Sequence, residues 1–120
     1  MYADGMSELQ EHTKRIREFC QARDWDQFHN PKDMALSLVL EATEVLEHFQ
    51  WKSEAEVESY VSKHKADIAE ELADTYYWVL RMCDRFGVDL PKAFEAKMGK
   101  NALKYPIEKA RGKHSKYDQF

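Results

Sequence analysis

Two acidic pairs of identical spacing, Glu41/Glu44 and Glu71/Asp74, lie inside apolar helical patterns and constrain this chain more than any other feature. Residues three apart sit about one turn apart on the same face of an α-helix, so each pair can aim its carboxylates at one point. If the two helices pack antiparallel, four carboxylates meet, and like charges that close repel unless protons or a cation intervene. A hard divalent metal answers that need. Magnesium suits it, because it takes oxygen ligands and shares its coordination with water and substrate phosphates. The competing reading is a solvated face, since acidic residues at this spacing are common on surface helices. The flanks favour a site: Glu41 follows MALSLVL and Glu44 precedes VLEHFQW. A helix apolar over so much of its circumference is expected to be largely buried, and buried carboxylates need partners.

The acid is concentrated in this stretch. Residues 41–74 hold eight Glu and two Asp against Lys52, Lys63 and Lys65, a net −7, whereas the whole 120-residue chain carries −4. That balance argues against a stable nucleic-acid partner, which calls for a dominant basic face. Cys20 and Cys83 are too few for a disulfide framework, and both fall on apolar stripes, so they are read as reduced and buried. MYADGMSELQ lacks a basic segment followed by an apolar one, and no run of about 18 apolar residues occurs, so the expectation is a cytoplasmic protein without a membrane anchor.

Along the chain, residues 1–6 are expected to be disordered. Ser7 with Gln10 forms a capping-box pattern opening a helix to about Arg23, read as a packing helix without chemistry. DWDQFHNP at 24–31 reads as a loop, with Asn30 as N-cap and Pro31 at the first helical position. Phe28 is expected to anchor that loop. Trp25 either anchors it or offers a stacking surface to a nucleobase, a contact contributing about 1–3 kcal/mol. A second helix is predicted from Pro31 to about Trp51, with Glu47 either joining the site or facing water, and Ser53/Glu56 open a short third helix. A long helix follows from His64 to Phe86 and stops at Gly87, with Trp78 on its core side by spacing. Leu90 and Pro91 start a last helix to about Lys104, whose Lys97, Asn101 and Lys104 share a face suited to phosphate. The basic segment 105–120 is expected to be a tail, because Pro106 and Gly112 disfavour a continued helix. No strand pattern, glycine-rich phosphate loop or CxxC pair is present. The fold class is therefore all-α, a bundle of four to five helices completed as a four-helix bundle by homo-oligomerisation.

EATE (41–44) and ELAD (71–74) stand with RDWDQFH (23–29), EVLEHFQWK (44–52), GVDLPKAF (87–94) and KMGKNALKYP (97–106). On these segments, which cover most of residues 7–117, the chain resembles the all-α MazG-like nucleoside triphosphate pyrophosphohydrolases, the dCTP pyrophosphatase branch in particular. The resemblance implies a catalytic helical domain over 7–104 and magnesium held by Glu41, Glu44, Glu71 and Asp74. It implies a nucleotide pocket formed with Trp25, His29, Trp51 and the aromatic at Trp78, and contacts from Lys97, Asn101 and Tyr105 to base or phosphates. The implied activity is cleavage of dCTP or a modified dCTP between the α and β phosphates, a nucleotide-pool housecleaning reaction, by a dimer or dimer-based tetramer. Two departures bear on base preference rather than on metal chemistry: Trp78 stands where relatives have Tyr, and Ile16 where they have a pocket His. A broad-specificity or other-base pyrophosphohydrolase is the nearest alternative. A non-catalytic helical interaction module is the more distant one. A redox di-metal bundle calls for paired Glu-x-x-His motifs, and His12, His48 and His64 instead follow Leu9, Val45 and Val61 by three.

Overall fold

A computed structural model describes residues 5–114. The described residues are all-α, with six α-helices, one short 3-10 turn and no strand. Expectations about residues 1–4 and 115–120 lie outside the described residues.

The chain divides into two units, 1–87 and 88–120. In the first, α1 (Glu8–Ala22), α2 (Pro31–Glu47) and α3 (Glu54–Lys63) all pack on α4 (Lys65–Phe86). Local chemistry explains the starts. Ser7 accepts from the Gln10 N–H while the Gln10 side chain accepts from the Ser7 N–H. Ser53 and Glu56 repeat that reciprocal pair at α3, and Asn30 accepts from the Asp33 N–H before Pro31. Each arrangement satisfies amides that a helix start leaves bare, contributing about 1 kcal/mol. Gly87 ends α4 in the left-handed region, at φ 69, donating its N–H to Cys83.

The core is small and lies along α4. Cys20 from α1, Met34 from α2 and Leu80 from α4 are its fully buried apolar side chains, and Arg81 is buried beside them. Cys83, expected to be buried, is half-buried. Helix α2 departs from expectation more strongly: Leu36, Val39, Leu40 and Leu46 are all more than half exposed. A helix that gives one face to a single neighbour cannot bury an apolar surface running most of the way round it. It also stops at Glu47 rather than near Trp51, because residues 48–51 tighten into a turn in which Phe49 and Gln50 both bond to the Leu46 carbonyl.

The second unit contains α5 (Leu90–Lys104), capped by the Asp89 side chain accepting from the Lys92 N–H, and α6 (Ile107–Ala110). The segment expected to be a tail holds one further helical turn: α5 does not continue through Pro106, as expected, and Pro106 instead precedes α6 as its N-cap, where a proline needs no amide partner.

No helix among the described residues is long and apolar enough to cross a membrane.

Candidate active site

The first unit contains a cavity of about 810 Å³, within the range of small-molecule sites. Its walls come from three helices and one loop. Helix α1 supplies His12, Arg15, Ile16, Glu18 and Phe19, the loop supplies Trp25, α2 supplies Glu41, and α4 supplies Ala73, Asp74, Tyr76, Tyr77 and Trp78. Helix α1, read from its own pattern as a packing element although the resemblance put Ile16 at a pocket position, is a cavity wall. Its residues here recur at helical spacing, which the sequence displays but cannot distinguish from a core stripe.

Part of the lining is acidic, Glu18, Glu41 and Asp74. Burial, then the neighbouring Glu44, then the charges of Asp74 and Glu71 push the Glu41 carboxyl above the usual carboxylate range. Three acidic neighbours from two helices, Glu44 on α2 and Asp74 and Glu71 on α4, thus act on Glu41. Glu41 Oε2 is buried without a hydrogen-bond partner, and such an atom calls for an explanation. Glu71 is differently placed, for its carboxylate accepts from His48 Nε2. A carboxylate only accepts, so Nε2 donates to Glu71, while Nδ1 lies 2.5 Å from the Tyr60 hydroxyl. Tyr60 in turn stacks on His64 at 4.0 Å. This chain from α3 to Glu71 escaped the sequence reading; only the clustering of His48, Tyr60 and His64 in the α3 region hinted at it. Among the described residues no three His, Cys, Asp or Glu side chains are gathered closely enough to hold an ion as they stand. The donor set nevertheless fits a hard divalent cation: it is all oxygen, strongly negative, and includes one buried oxygen with no other partner.

The lining is also aromatic. Trp25 is 39% exposed and meets Phe19 edge-on at 5.6 Å, so it is both a loop anchor and a cavity surface. Asp24 just before it takes φ 55, a left-handed conformation that Asp tolerates better than most residues, and this reverses the chain after α1. Trp78 is half-buried and lies edge-on to Tyr77 at 5.0 Å, lining the cavity rather than filling the core. Tyr77 sits with its hydroxyl 3.2 Å from Cys20 Sγ, and burial foremost drives its ionisation far upward, so it stays neutral. His12 Nδ1 lies 2.9 Å from the Tyr76 hydroxyl, a polar pair at the cavity's edge.

The remaining expected site residues are placed elsewhere. His29 is buried but is not part of the cavity wall; its Nδ1 accepts from Arg81 Nε at 2.9 Å and its ring lies 5.1 Å from Trp78. Burial and the adjacent Arg81 charge hold its pKa below the ordinary value. Trp51 is 87% exposed in the turn after α2. Phe28 is 60% exposed and does not anchor the loop. Asp26 and His29, gripped by Arg81, share that role with Trp25. Lys97 and Asn101 lie on α5 of the second unit, and Tyr105 caps its end by donating its N–H to Asn101.

Comparison with known proteins gives three findings. The model of the MazG-like family matches residues 36–120. The chain is 42% identical over 102 residues to dCTP pyrophosphatase 1 of Rattus norvegicus and 38% identical over 105 residues to that of Homo sapiens. These alignments cover 83% and 86% of this chain but only 60% and 62% of the relatives, so the chain spans about three fifths of their length. The crystal structure of a pyrophosphatase from Archaeoglobus fulgidus superposes with a TM-score of 0.81 at 34% identity, over 88% of this chain and 99% of that one.

Proposed function

Because the chain belongs to the MazG-like family, we propose that it is a magnesium-dependent nucleoside triphosphate pyrophosphohydrolase. Its substrate is dCTP or a modified dCTP, cleaved between the α and β phosphates to a nucleoside monophosphate and pyrophosphate. One observation carries the reading: a single cavity is lined both by the carboxylates Glu41 and Asp74 and by the rings of Trp25 and Trp78. A nucleotide likewise joins a polyanion that needs cations to a flat base that stacks.

Glu41, Glu44, Glu71 and Asp74 would hold the ion, which when bound supplies charge neutralisation and water activation. The rest is done by side chains of the chain itself. Trp25 and Trp78 flank the base, while Ile16 and Phe19 of α1 give the cavity apolar lining. His48, oriented by Tyr60, holds Glu71 in one position and so limits how far the acidic set can rearrange. The proton of the attacking water passes to Glu44 or Glu47, and a Glu47→Gln variant separates the two, losing activity only if Glu47 is the acceptor. For His29, Trp51, Lys97, Asn101 and Tyr105, substrate contact rests on the family resemblance, and single alanine variants test it through KM.

The catalytic domain is assigned to 7–104 and the basic tail to 105–120. A homo-oligomer, a dimer or dimer-based tetramer, would cover Leu36, Val39, Leu40 and Leu46, which a lone chain leaves in water. A cytoplasmic location fits a nucleotide substrate. The test is pyrophosphate release from a panel of common and modified triphosphates with and without magnesium. Release from dCTP or its modified forms above all others supports the proposal, and no release from any triphosphate refutes it.

A further inference from the structure

We propose that Arg81 is a positioning residue for the aromatic wall: through Asp26 and His29 it fixes the loop that carries Trp25 and sets the His29 ring against Trp78. What that wall binds rests on the nucleotide reading above; the clamp itself does not.

Arg81 has no part in the mechanism and does not line the cavity described above, yet among the described residues it is the largest fully buried side chain, 1% exposed. Burying a guanidinium is costly unless each edge is paired, and here each is. Nε donates to His29 Nδ1 at 2.9 Å, Nη2 pairs with Asp26, and Nη1 lies 3.7 Å from Asp84. Asp84 is held in turn by Arg17 through two bonds of 2.6 and 3.1 Å. The planar fork lets one residue hold two groups at a fixed angle, which a lysine cannot do.

The two loop groups are well chosen for the purpose. Asp26 opens the 3-10 turn Asp26–Phe28 and His29 follows its end, so the clamp grips the turn on both sides. Trp25 precedes the gripped segment by one residue. No apolar side chain of the turn does the same work, since Phe28 points its area to solvent at 60% exposure. His29 then carries the restraint onward, with its ring 5.1 Å from Trp78 and 6.4 Å from Trp25. Both tryptophans of the cavity are thereby tied to one buried cation.

The test uses the full chain labelled with 5-fluorotryptophan, whose fluorine spectrum resolves Trp25, Trp51 and Trp78 separately. Asp26→Asn keeps the shape and removes the charge partner, and Arg81→Lys keeps the charge and removes the fork. In both, the Trp25 and Trp78 resonances are expected to shift or broaden while that of Trp51 does not. KM for dCTP with magnesium should rise about fivefold or more with kcat changed by less than about twofold, the mark of lost substrate binding rather than lost chemistry. Asp26→Glu, which retains the ion pair, should recover most of the KM. Unmoved Trp25 and Trp78 resonances, or a lowered melting temperature with KM unaltered, would reduce Arg81 to a stability element and overturn the proposal. If the unmodified chain turns over no triphosphate, the proposed function is what fails, and the fluorine spectra alone decide the clamp.

Discussion

Helix α4 carries two charged clusters built on opposite rules. Around Arg81, two cations, two carboxylates and a histidine close a network in which every partner is answered: Arg81 with Asp26, Asp84 and His29, and Asp84 with Arg17. Two turns earlier, Glu71 and Asp74 act with Glu44 on Glu41, and although Glu71 is paired with His48, one buried Glu41 oxygen has no hydrogen-bond partner. The balanced cluster has completed its interactions within the chain and serves as scaffold. In the unbalanced one, burial and acidic neighbours push the Glu41 carboxyl above its usual range, and under the proposed function that repulsion is what a bound cation would relieve. Nearly equal amounts of charge on one helix are thus answered within the chain in one cluster and left in mutual repulsion at Glu41 in the other, a contrast that the proposed function reads as two roles.

Perturbing each cluster should therefore move a different observable. The largest effect belongs to the acidic set: Asp74→Asn should lower kcat/KM by about 100-fold or more, a loss of about 2.7 kcal/mol of transition-state stabilisation, without lowering the melting temperature. Full activity in that variant would remove Asp74 from the site. Next comes Arg81→Met, which leaves Asp26 and the buried side of Asp84 without their cation. Urea unfolding should register a loss of about 3 kcal/mol, and an unchanged midpoint would mean that the network is ornamental. The smallest effect concerns pH. The folded-state pKa of His29 lies below its ordinary 6.5, so between the two values the unfolded chain binds the proton first. The stability it contributes is complete above about pH 6.5 and drains away as pH falls through the lowered folded value. Melting curves from pH 7.5 to 5 should fall less steeply for His29→Gln than for the unmodified chain, and parallel curves would deny His29 this part.

How much of this was legible beforehand follows the range of the interaction. Helix starts at Ser7, Asn30 and Ser53 and the stop at Gly87 are written in neighbours three or four residues apart, and each was readable. The acidic pairs were readable because their spacing is also local. Arg81 was not: its partners Asp26 and His29 lie 55 and 52 residues away, and on the helical pattern it is a charged residue interrupting an apolar stripe. The His48–Glu71 contact, 23 residues apart, was hidden for the same reason. Exposure on α2 was misjudged because periodicity reports which side chains are apolar and not how many neighbours exist to cover them. The same limit explains why Phe28 looked like the loop's anchor when two polar residues hold it together with Trp25.

The claim on which the account turns is that the four carboxylates form a cation site, and a magnesium titration followed by thermal unfolding tests it most directly. At constant ionic strength, the unmodified chain should gain stability with added magnesium, about 2.7 kcal/mol at a hundred times the dissociation constant, or on the order of 10 °C. Glu41→Gln should start with an equal or higher melting temperature and gain little. Equal gains in the two proteins, or no gain in either, would contradict the account.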